Sequence, residues 1–190
     1  LKEWHRRAAS LGRYRPLVDS ALEEMVQDQI VTRIWAHDYT VWKPEPDEIA
    51  NRLGWLEIAE AMREQVEKLA AFTESVVADG YTDVLLLGMG GSSLAPDVFG
   101  KVFGGHAPAA GMPKLAVLDS TDPGAILAHA KSLDPARTLL VVSTKSGGTV
   151  ETLSFFKYFY NWAAEALGTE VSRHFVAITV KSTYLGLVKY

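Results

Sequence analysis

The sequence predicts an α/β fold, a doubly wound parallel sheet with an N-terminal helical extension. From residue 83 to 178, short apolar runs alternate with helical patterns, as in β-α-β units. The apolar runs are continuous, as expected of parallel strands that helices cover on both faces. Before residue 80, apolar residues recur at helical spacing. We therefore expect a helical extension over residues 1–80 and a sheet domain over residues 81–190.

The extension contains two helical patterns with a break between them. In the first, over residues 17–34, apolar side chains recur every three or four residues. Pro44 and Pro46 then interrupt the chain, and Asp47 is a suitable N-cap for the next helix. The second pattern covers residues 56–76, and Gly80 suits the end of its helix. Three tryptophans of this half are interpreted as core or packing residues: Trp35, Trp42 and Trp55.

Four continuous apolar runs predict the strands, at residues 84–87, 115–118, 139–142 and 175–178. A helix that ends at about Phe103 follows the first strand. The next helix begins at Pro123, because proline suits the first helical position after an N-cap such as Asp122. The third helix covers residues 150–167 and ends at Gly168. Right-handed crossovers would join successive strands, and the strands would lie side by side in the sheet in the order 2-1-3-4.

Two turns rich in glycine and hydroxyl groups carry the functional signal. They are Gly-Met-Gly-Gly-Ser-Ser at residues 88–93 and Ser-Thr-Lys-Ser-Gly-Gly-Thr-Val-Glu-Thr at residues 143–152. Each lies between a predicted strand and a predicted helix, where unpaired N–H groups and the helix dipole favour an anion. Glycine permits close backbone approach, and serine and threonine add O–H donors. Because strands one and three are neighbours where the winding reverses, both turns should hold one phosphate from two sides.

Composition excludes several classes of protein. The 190 residues include no cysteine, which excludes disulfides, thiol catalysis and thiolate metal sites and fits a cytoplasmic location. A net charge of −4 argues against nucleic acid as a partner, and no apolar run reaches the roughly 18 residues of a membrane span. The five histidines lack metal-binding spacing. The chain starts at Leu1 without a signal-peptide pattern, and we expect it to be an internal piece of a longer polypeptide.

Other interpretations of the first turn are possible. Gly88, Gly90 and Ser93 form a partial dinucleotide fingerprint, with serine in place of the third glycine. Asp119 could hold a ribose, but it follows about 30 residues later instead of about 20. The P-loop pattern fails because no Gly-Lys-Ser/Thr ends the turn. A turn of this kind can also be purely structural, but the lysine and hydroxyl cluster of the second turn favours phosphate binding.

The second turn resembles a known signature. Ser146-Gly-Gly-Thr149-Val-Glu151 matches the Ser-Gly-x-Thr-x-Glu pattern of sugar isomerase (SIS) domains, which bind phosphosugars. Lys145, together with the first turn and Pro96, narrows the resemblance to the phosphoglucose isomerase family. Residues 33–56 resemble the isomerase half of fused transaldolase/phosphoglucose isomerase proteins, and the resemblance to the family covers roughly residues 20–179.

The resemblance implies site residues and a reaction. The family interconverts glucose 6-phosphate and fructose 6-phosphate through an enediol, uses no metal or organic cofactor, and commonly dimerises. Its catalytic Glu, His and Arg belong to segments beyond the first SIS domain, so we predict no catalytic residue in this chain. Thr144 stands where many members have serine, and Gly148 replaces a threonine and so removes one donor. The substrate-binding residues would be Gly91, Ser92, Thr144, Lys145, Ser146, Gly147, Gly148 and Thr149.

The sequence therefore predicts the first SIS domain of a glucose-6-phosphate isomerase, with a phosphate site and without the catalytic base. One alternative is a non-catalytic SIS module that senses phosphosugars and regulates a partner. Another is a related enzyme that acts on an amino sugar phosphate. The tail over residues 180–190 departs from the loop that the family has after the fourth strand.

Overall fold

The computed structural model describes residues 11–103 and 111–179. The chain forms two compact units, Leu1–Glu67 and Lys68–Tyr190. A domain boundary at residue 80, as the sequence suggests, stays a prediction. The atypical tail expected over residues 180–190 lies outside the described residues.

The first unit is helical, as predicted, but its helices are short. The apolar pattern of residues 17–34 is divided between helices α1 (Arg15–Gln27) and α2 (Ile30–Trp35). They are separate because Gln29 has a φ of 52°, in the left-handed region that a right-handed helix excludes. A 3₁₀ helix, Gly12–Tyr14, precedes α1, and another, Tyr39–Val41, follows α2.

The helix start predicted at Asp47 is wrong. Glu48 has a φ of 60°, so the chain cannot enter a right-handed helix at that position. A 3₁₀ helix begins instead at Ala50 and ends at Glu57, and helix α3 (Ile58–Arg63) follows it. The proposed N-cap therefore lies in a turn before the helical segment.

Trp35, Trp42 and Trp55 are exposed, so their interpretation as core residues is wrong. The exposed fractions of Trp35, Trp42 and Trp55 are 59%, 48% and 61%. In the 3₁₀ helix, the buried side chains are Leu53 and Leu56, which share one face at a spacing of three. Because three residues make a 3₁₀ turn, Trp55 lies on a different face from these leucines.

A polar cluster at the end of α2 consists of Arg33, in the last turn of the helix, and Asp38 and Thr40, which follow it. Arg33 donates from Nε to Asp38 Oδ2 at 2.7 Å and from Nη2 to Thr40 Oγ1 at 2.9 Å. The backbone N–H of Thr40 donates to Asp38 Oδ1 at 2.9 Å, so Asp38 also caps the following 3₁₀ helix. Hydrogen bonds from Thr40, and then from Arg33, lower the pKa of Asp38 to about 2.

The second unit contains the predicted parallel sheet. Its strands are β1 (Asp83–Leu87), β2 (Lys114–Leu118), β3 (Thr138–Ser143) and β4 (Phe175–Ile178). All pairings are parallel and the strand order is β2-β1-β3-β4, which confirms the predicted order 2-1-3-4. In register, Leu87 of β1 lies between Leu118 of β2 and Val142 of β3.

The helices of this unit confirm the predicted alternation with strands. They are α4 (Val66–Ala78), α5 (Gly91–Phe103), α6 (Pro123–Ser132) and α7 (Val150–Leu167). The Asp122 carboxylate accepts from the N–H of Ala125 at 2.9 Å, so the predicted N-cap of α6 is confirmed. The 3₁₀ helices Pro135–Arg137 and Gly168–His174 precede β3 and β4.

The helices cover both faces of the sheet. On one face, α6 and α7 pack on the strands around a core of fully buried side chains that includes Leu85, Leu140 and Phe155. On the other face, Val76 of α4 packs with Tyr81 and Leu139. These two packed layers stabilise the sheet whose carboxyl edge carries the two glycine-rich turns.

The end of α4 confirms the prediction for Gly80. This glycine has a φ of 83°, and its N–H donates to the carbonyl of Val77 at 3.0 Å. The N–H of Tyr81 donates to the carbonyl of Val76 at 3.3 Å, which completes a Schellman motif. The apolar contact between Val76 and Tyr81 accompanies these bonds and leads the chain into β1.

Candidate anion-binding site at the carboxyl edge of the sheet

The topology brings the two turns to one edge of the sheet. Strands β1 and β3 are parallel neighbours, with Leu87 beside Val142. The first loop, residues 88–90, leaves the carboxyl end of β1, and the second, residues 144–149, leaves the carboxyl end of β3. Helix α5 follows the first loop and α7 follows the second, so two helix N-termini begin at this edge. This is the switch point at which doubly wound sheets bind ligands.

Gly88 fixes the close packing of the first loop. Its N–H donates to the carbonyl of Leu118 at 3.2 Å, which ties the loop to β2. A Cβ at this position would lie 2.9 Å from the backbone carbonyl oxygen of Ser92. Gly90 has a φ of 52°, which glycine adopts without strain. The loop therefore requires glycine at two positions for different reasons.

The two serines at the start of α5 have different surroundings. Ser93 is 1% exposed, and its hydroxyl donates to the carbonyl of Gly90 at 2.9 Å. Ser92 is half-buried, and its hydroxyl has no hydrogen bond within the described part of the chain. Gly91, the first residue of α5, is exposed. Ser93 thus stabilises the loop, whereas the hydroxyl of Ser92 takes no part in holding it together.

The hydroxyl of Thr144 shapes the second loop from inside. Thr144 is 2% exposed, and its backbone N–H donates to the carbonyl of Ile178 at 3.0 Å. Its Oγ1 accepts from the N–H of Gly147 at 3.3 Å and lies 3.3 Å from Oγ1 of Thr149. In this conformation the side chain therefore holds the loop together, and solvent does not reach it.

The exposed part of the second loop consists of Lys145, Ser146 and Gly148. The ammonium group of Lys145 makes no ion pair or hydrogen bond within residues 11–103 and 111–179. The N–H of Gly148 donates to Ser146 Oγ at 3.2 Å, and Gly147 has a φ of 72°. A cation, a hydroxyl and loop N–H groups therefore lie at the N-terminus of the 18-residue helix α7, which is the donor set that a phosphate needs.

Two carboxylates bear on the other interpretations of these motifs, Glu151 and Asp119. Glu151 lies in the first turn of α7, after the N-cap Thr149. Its carboxylate makes no hydrogen bond to the described residues, so it does not cap the backbone of α7 in this conformation. Asp119, which a dinucleotide site would need, follows β2 and is exposed.

Sequence reasoning gave no role to Thr152, the last residue of the second motif. Thr152 is 1% exposed, and its Oγ1 has no hydrogen-bond partner among the described residues. Its position within the motif is a signal, but burial depends on how α7 packs and is not visible in the sequence. No group of three or more His, Asp or Glu side chains in the described ranges is placed to hold a metal ion. Among those same residues, no helix combines the length and apolarity needed to cross a membrane.

Comparison with known proteins gives a consistent result. The family model described as phosphoglucose isomerase matches residues 53–186. The chain is 32% identical over 132 residues to a glucose-6-phosphate isomerase from Thermus thermophilus. This alignment covers 70% of this chain and 30% of that protein. It is 32% identical over 136 residues to glucose-6-phosphate isomerase 3 from Rhodococcus jostii. This alignment covers 66% of this chain and 24% of that protein.

Solved structures show the same relationship. A hypothetical protein from Thermus thermophilus aligns with a TM-score of 0.63 at 29% identity, over 88% of this chain and 37% of that chain. A glucose-6-phosphate isomerase from Chlamydia trachomatis aligns with a TM-score of 0.58 at 26% identity, over 78% and 27%. The present chain therefore spans between 24% and 30% of the length of the two curated relatives.

Proposed function

Because this chain belongs to the phosphoglucose isomerase family, we propose that it forms the sugar-phosphate-binding, SIS-type part of a glucose-6-phosphate isomerase. The observation that carries the proposal is the placement of two loops rich in glycine and hydroxyl groups. They leave the paired strands β1 and β3 and begin α5 and α7 at one sheet edge. The relatives named as glucose-6-phosphate isomerases favour this function over a non-catalytic sensing module.

In the proposed complex, the phosphate of the substrate lies between the two loops. Lys145 supplies a positive charge, Ser92 and Ser146 supply hydroxyl groups, and Gly147 and Gly148 supply backbone N–H groups. Gly91 and the N-cap Thr149 lie at the helix N-termini that complete the cradle. Thr144 keeps the second loop in shape through Thr149, whose Oγ1 lies 3.3 Å from the Oγ1 of Thr144.

The phosphate site contributes binding energy and orientation instead of proton transfer. Isomerisation moves a proton between C1 and C2 through an enediol, which needs a carboxylate or imidazole within about 3 Å of the carbon. The two motifs contain no histidine, and their one carboxylate is Glu151. We therefore assign the base to a segment of the isomerase other than these loops, with the phosphate contacts holding the sugar in position for it.

Three finer features belong to the same proposal. The resemblance of residues 33–56 suggests a parent protein in which transaldolase and isomerase are fused. Family members commonly dimerise, so we propose a homo-oligomer. A cytoplasmic location is proposed because the 190 residues include no cysteine.

Isothermal calorimetry tests the proposed ligand class. We expect fructose 6-phosphate and inorganic phosphate to bind, and NAD not to bind, because the first turn lacks the third glycine of a dinucleotide site. Tight binding of NAD without binding of fructose 6-phosphate would contradict the proposal.

A coupled isomerase assay tests the division of labour. The 190-residue chain alone should convert glucose 6-phosphate at no measurable rate, whereas the longer parent chain should be active. Turnover by the isolated chain that Glu151→Gln abolishes would show that Glu151 is the base and that the division is wrong.

A further inference from the structure

The buried polar residues of the described chain are concentrated near the two loops. Five polar residues are buried in residues 11–103 and 111–179, and Thr138 lies at the amino end of β3. The other four lie at the carboxyl edge, within the two motifs: Ser93, Ser143, Thr144 and Thr152. Apart from Thr138, the buried polar residues described in this unit thus lie at the edge that carries the candidate phosphate site.

Thr152 differs from the other buried threonines in its hydrogen bonding. Thr138 donates from Oγ1 to the carbonyl of Asp134 at 2.7 Å. Thr144 Oγ1 accepts from Gly147. Thr152 Oγ1 has no partner among the described residues. An unpaired buried hydroxyl destabilises a protein, and native structures usually pair such groups with protein, water or ligand.

The position of Thr152 on α7 explains why it lacks a local partner. Inside a helix, a hydroxyl can donate to the carbonyl four residues earlier, as Ser154 does to Val150 at 2.8 Å. For Thr152 that residue is Gly148, which lies in the loop before the helix begins. The carbonyl that would normally accept from this hydroxyl therefore belongs to the loop, and the loop conformation decides whether the hydroxyl of Thr152 is paired.

Thr152 lies on the apolar, buried face of α7, where packing does not require a hydroxyl group. Thr152 shares with Phe155, Phe159 and Ala163 the buried stripe of the helix. Valine has nearly the same shape as threonine and would fill this place without an unpaired polar atom. A hydroxyl at this position therefore points to a role beyond packing.

The two glycines of the second loop, which precedes Thr152 in the chain, make long hydrogen bonds. The N–H of Gly147 donates to Thr144 Oγ1 at 3.3 Å and that of Gly148 to Ser146 Oγ at 3.2 Å, at the long end of the range for N–H donors. A phosphate is a stronger acceptor than these hydroxyl oxygens, because it is charged. Binding of phosphate can therefore exchange these bonds and change the loop groups that face α7.

We propose that Thr152 is a positioning residue of the sugar-phosphate site. Its hydroxyl is unpaired in the free protein and gains a hydrogen bond from the second loop when a sugar phosphate binds. The loop conformation that holds the phosphate is then stabilised relative to the free one, which raises affinity. This inference rests on the proposed function, since it requires that sugar phosphate binds at the loops.

The test compares thermal stability with affinity for fructose 6-phosphate, measured by calorimetry. Thr152→Val should leave Tm unchanged or raise it, because an unpaired hydroxyl is removed, and should weaken binding about three- to tenfold, the loss of one neutral hydrogen bond. Thr152→Ser should restore affinity. The matched control is Thr138→Val at the opposite edge, which should lower Tm and leave affinity unchanged, because that hydroxyl is paired with Asp134.

The outcomes separate the two claims. If the wild-type chain binds fructose 6-phosphate and Thr152→Val binds it equally well, Thr152 is only a core residue and the inference falls, while the proposed function stands. If the wild-type chain does not bind it, the proposed function fails first. Should Thr152→Val not fold, Thr152→Ala is compared with Thr152→Ser, and equal affinities overturn the inference.

Discussion

At the scale of single residues, the candidate site separates side chains that shape the loops from side chains that face solvent. Ser93 and Thr144 are buried and hydrogen-bonded to the loops themselves. Lys145 is exposed, and Ser92 is half-buried with its hydroxyl unused by the described residues. The residues that bind a ligand are therefore expected in the second group, and substitutions there should change affinity more than stability.

Lys145→Ala should weaken fructose 6-phosphate binding by about 1–3 kcal/mol, because a charge-assisted contact is lost. Ser92→Ala should cost less, about 1 kcal/mol, because its hydroxyl is neutral and neighbouring N–H donors remain. Calorimetry gives both values. Lys131→Ala is the control, since it removes the same charge from the last turn of α6 at the opposite edge. A fall in Tm with unchanged affinity would show that Lys145 and Ser92 are turn residues only.

Asp38 makes a pH prediction for the first unit. Its pKa is lowered to about 2 by hydrogen bonds from Thr40 and Arg33, below the ordinary value of 3.8. Because the folded-state pKa is the lower one, the ionised carboxylate of Asp38 stabilises the fold above pH 3.8. This contribution to stability is lost as the pH falls toward 2. The difference in unfolding free energy between wild type and Asp38→Asn should thus be constant above about pH 4 and shrink between about pH 4 and 2. A difference that does not change across this window would contradict the assignment.

Residue roles were only partly predictable. The N-cap at Asp122 and the C-terminal glycine at Gly80 follow from local chemistry, and both are confirmed. The cap at Asp47 is not, because the left-handed backbone of Glu48 depends on surroundings that the sequence does not show. Likewise, periodicity places Trp55 in a helical segment but does not say which face of that segment is buried.

At the scale of elements, the first loop depends on close contact between β1 and α5. Gly88 directly follows the strand, and the first turn of the helix folds back so that the carbonyl of Ser92 lies where a side chain would begin. The contact sets the direction of α5, and with it the position of the N–H groups at its N-terminus. Glycine at position 88 is thus a condition for the geometry of the site.

Gly88→Ala should destabilise the protein by about 1–3 kcal/mol, as expected when a methyl group is forced into a packed site. Gly91→Ala is the matched control, since no atom lies within 4 Å of the added Cβ and its φ is not in the left-handed region. Urea unfolding measures both. Equal stabilities of the two variants would show that α5 does not pack on Gly88 as described.

The elements of the sheet unit were predictable because their patterns are simple. Strands buried on both faces have continuous apolar runs, so all four were found within one residue of their observed ends. The extension was harder to predict. A continuous apolar periodicity does not reveal the break at Gln29, a non-glycine residue with positive φ.

At the scale of the whole molecule, the candidate site follows from topology. The order β2-β1-β3-β4 places the loops after β1 and β3 side by side, although Gly88 and Ser143, the last residue of β3, are far apart in the sequence. The sequence predicts this arrangement, because motif positions and strand order together determine the edge. It did not predict the buried, unpaired hydroxyl of Thr152, which arises only when α7 packs on the sheet.

We propose that the two loops together bind the phosphate of a sugar phosphate. Titration of the ¹⁵N-labelled chain with fructose 6-phosphate, followed by amide NMR, distinguishes this arrangement from binding at one loop alone. The amides of Ser92, Gly147 and Gly148 should shift together with one dissociation constant, while those of Thr138 and Phe175 at the opposite edge stay in place. Saturating ligand that shifts only the opposite edge, or leaves the amides of one loop unchanged, would contradict it.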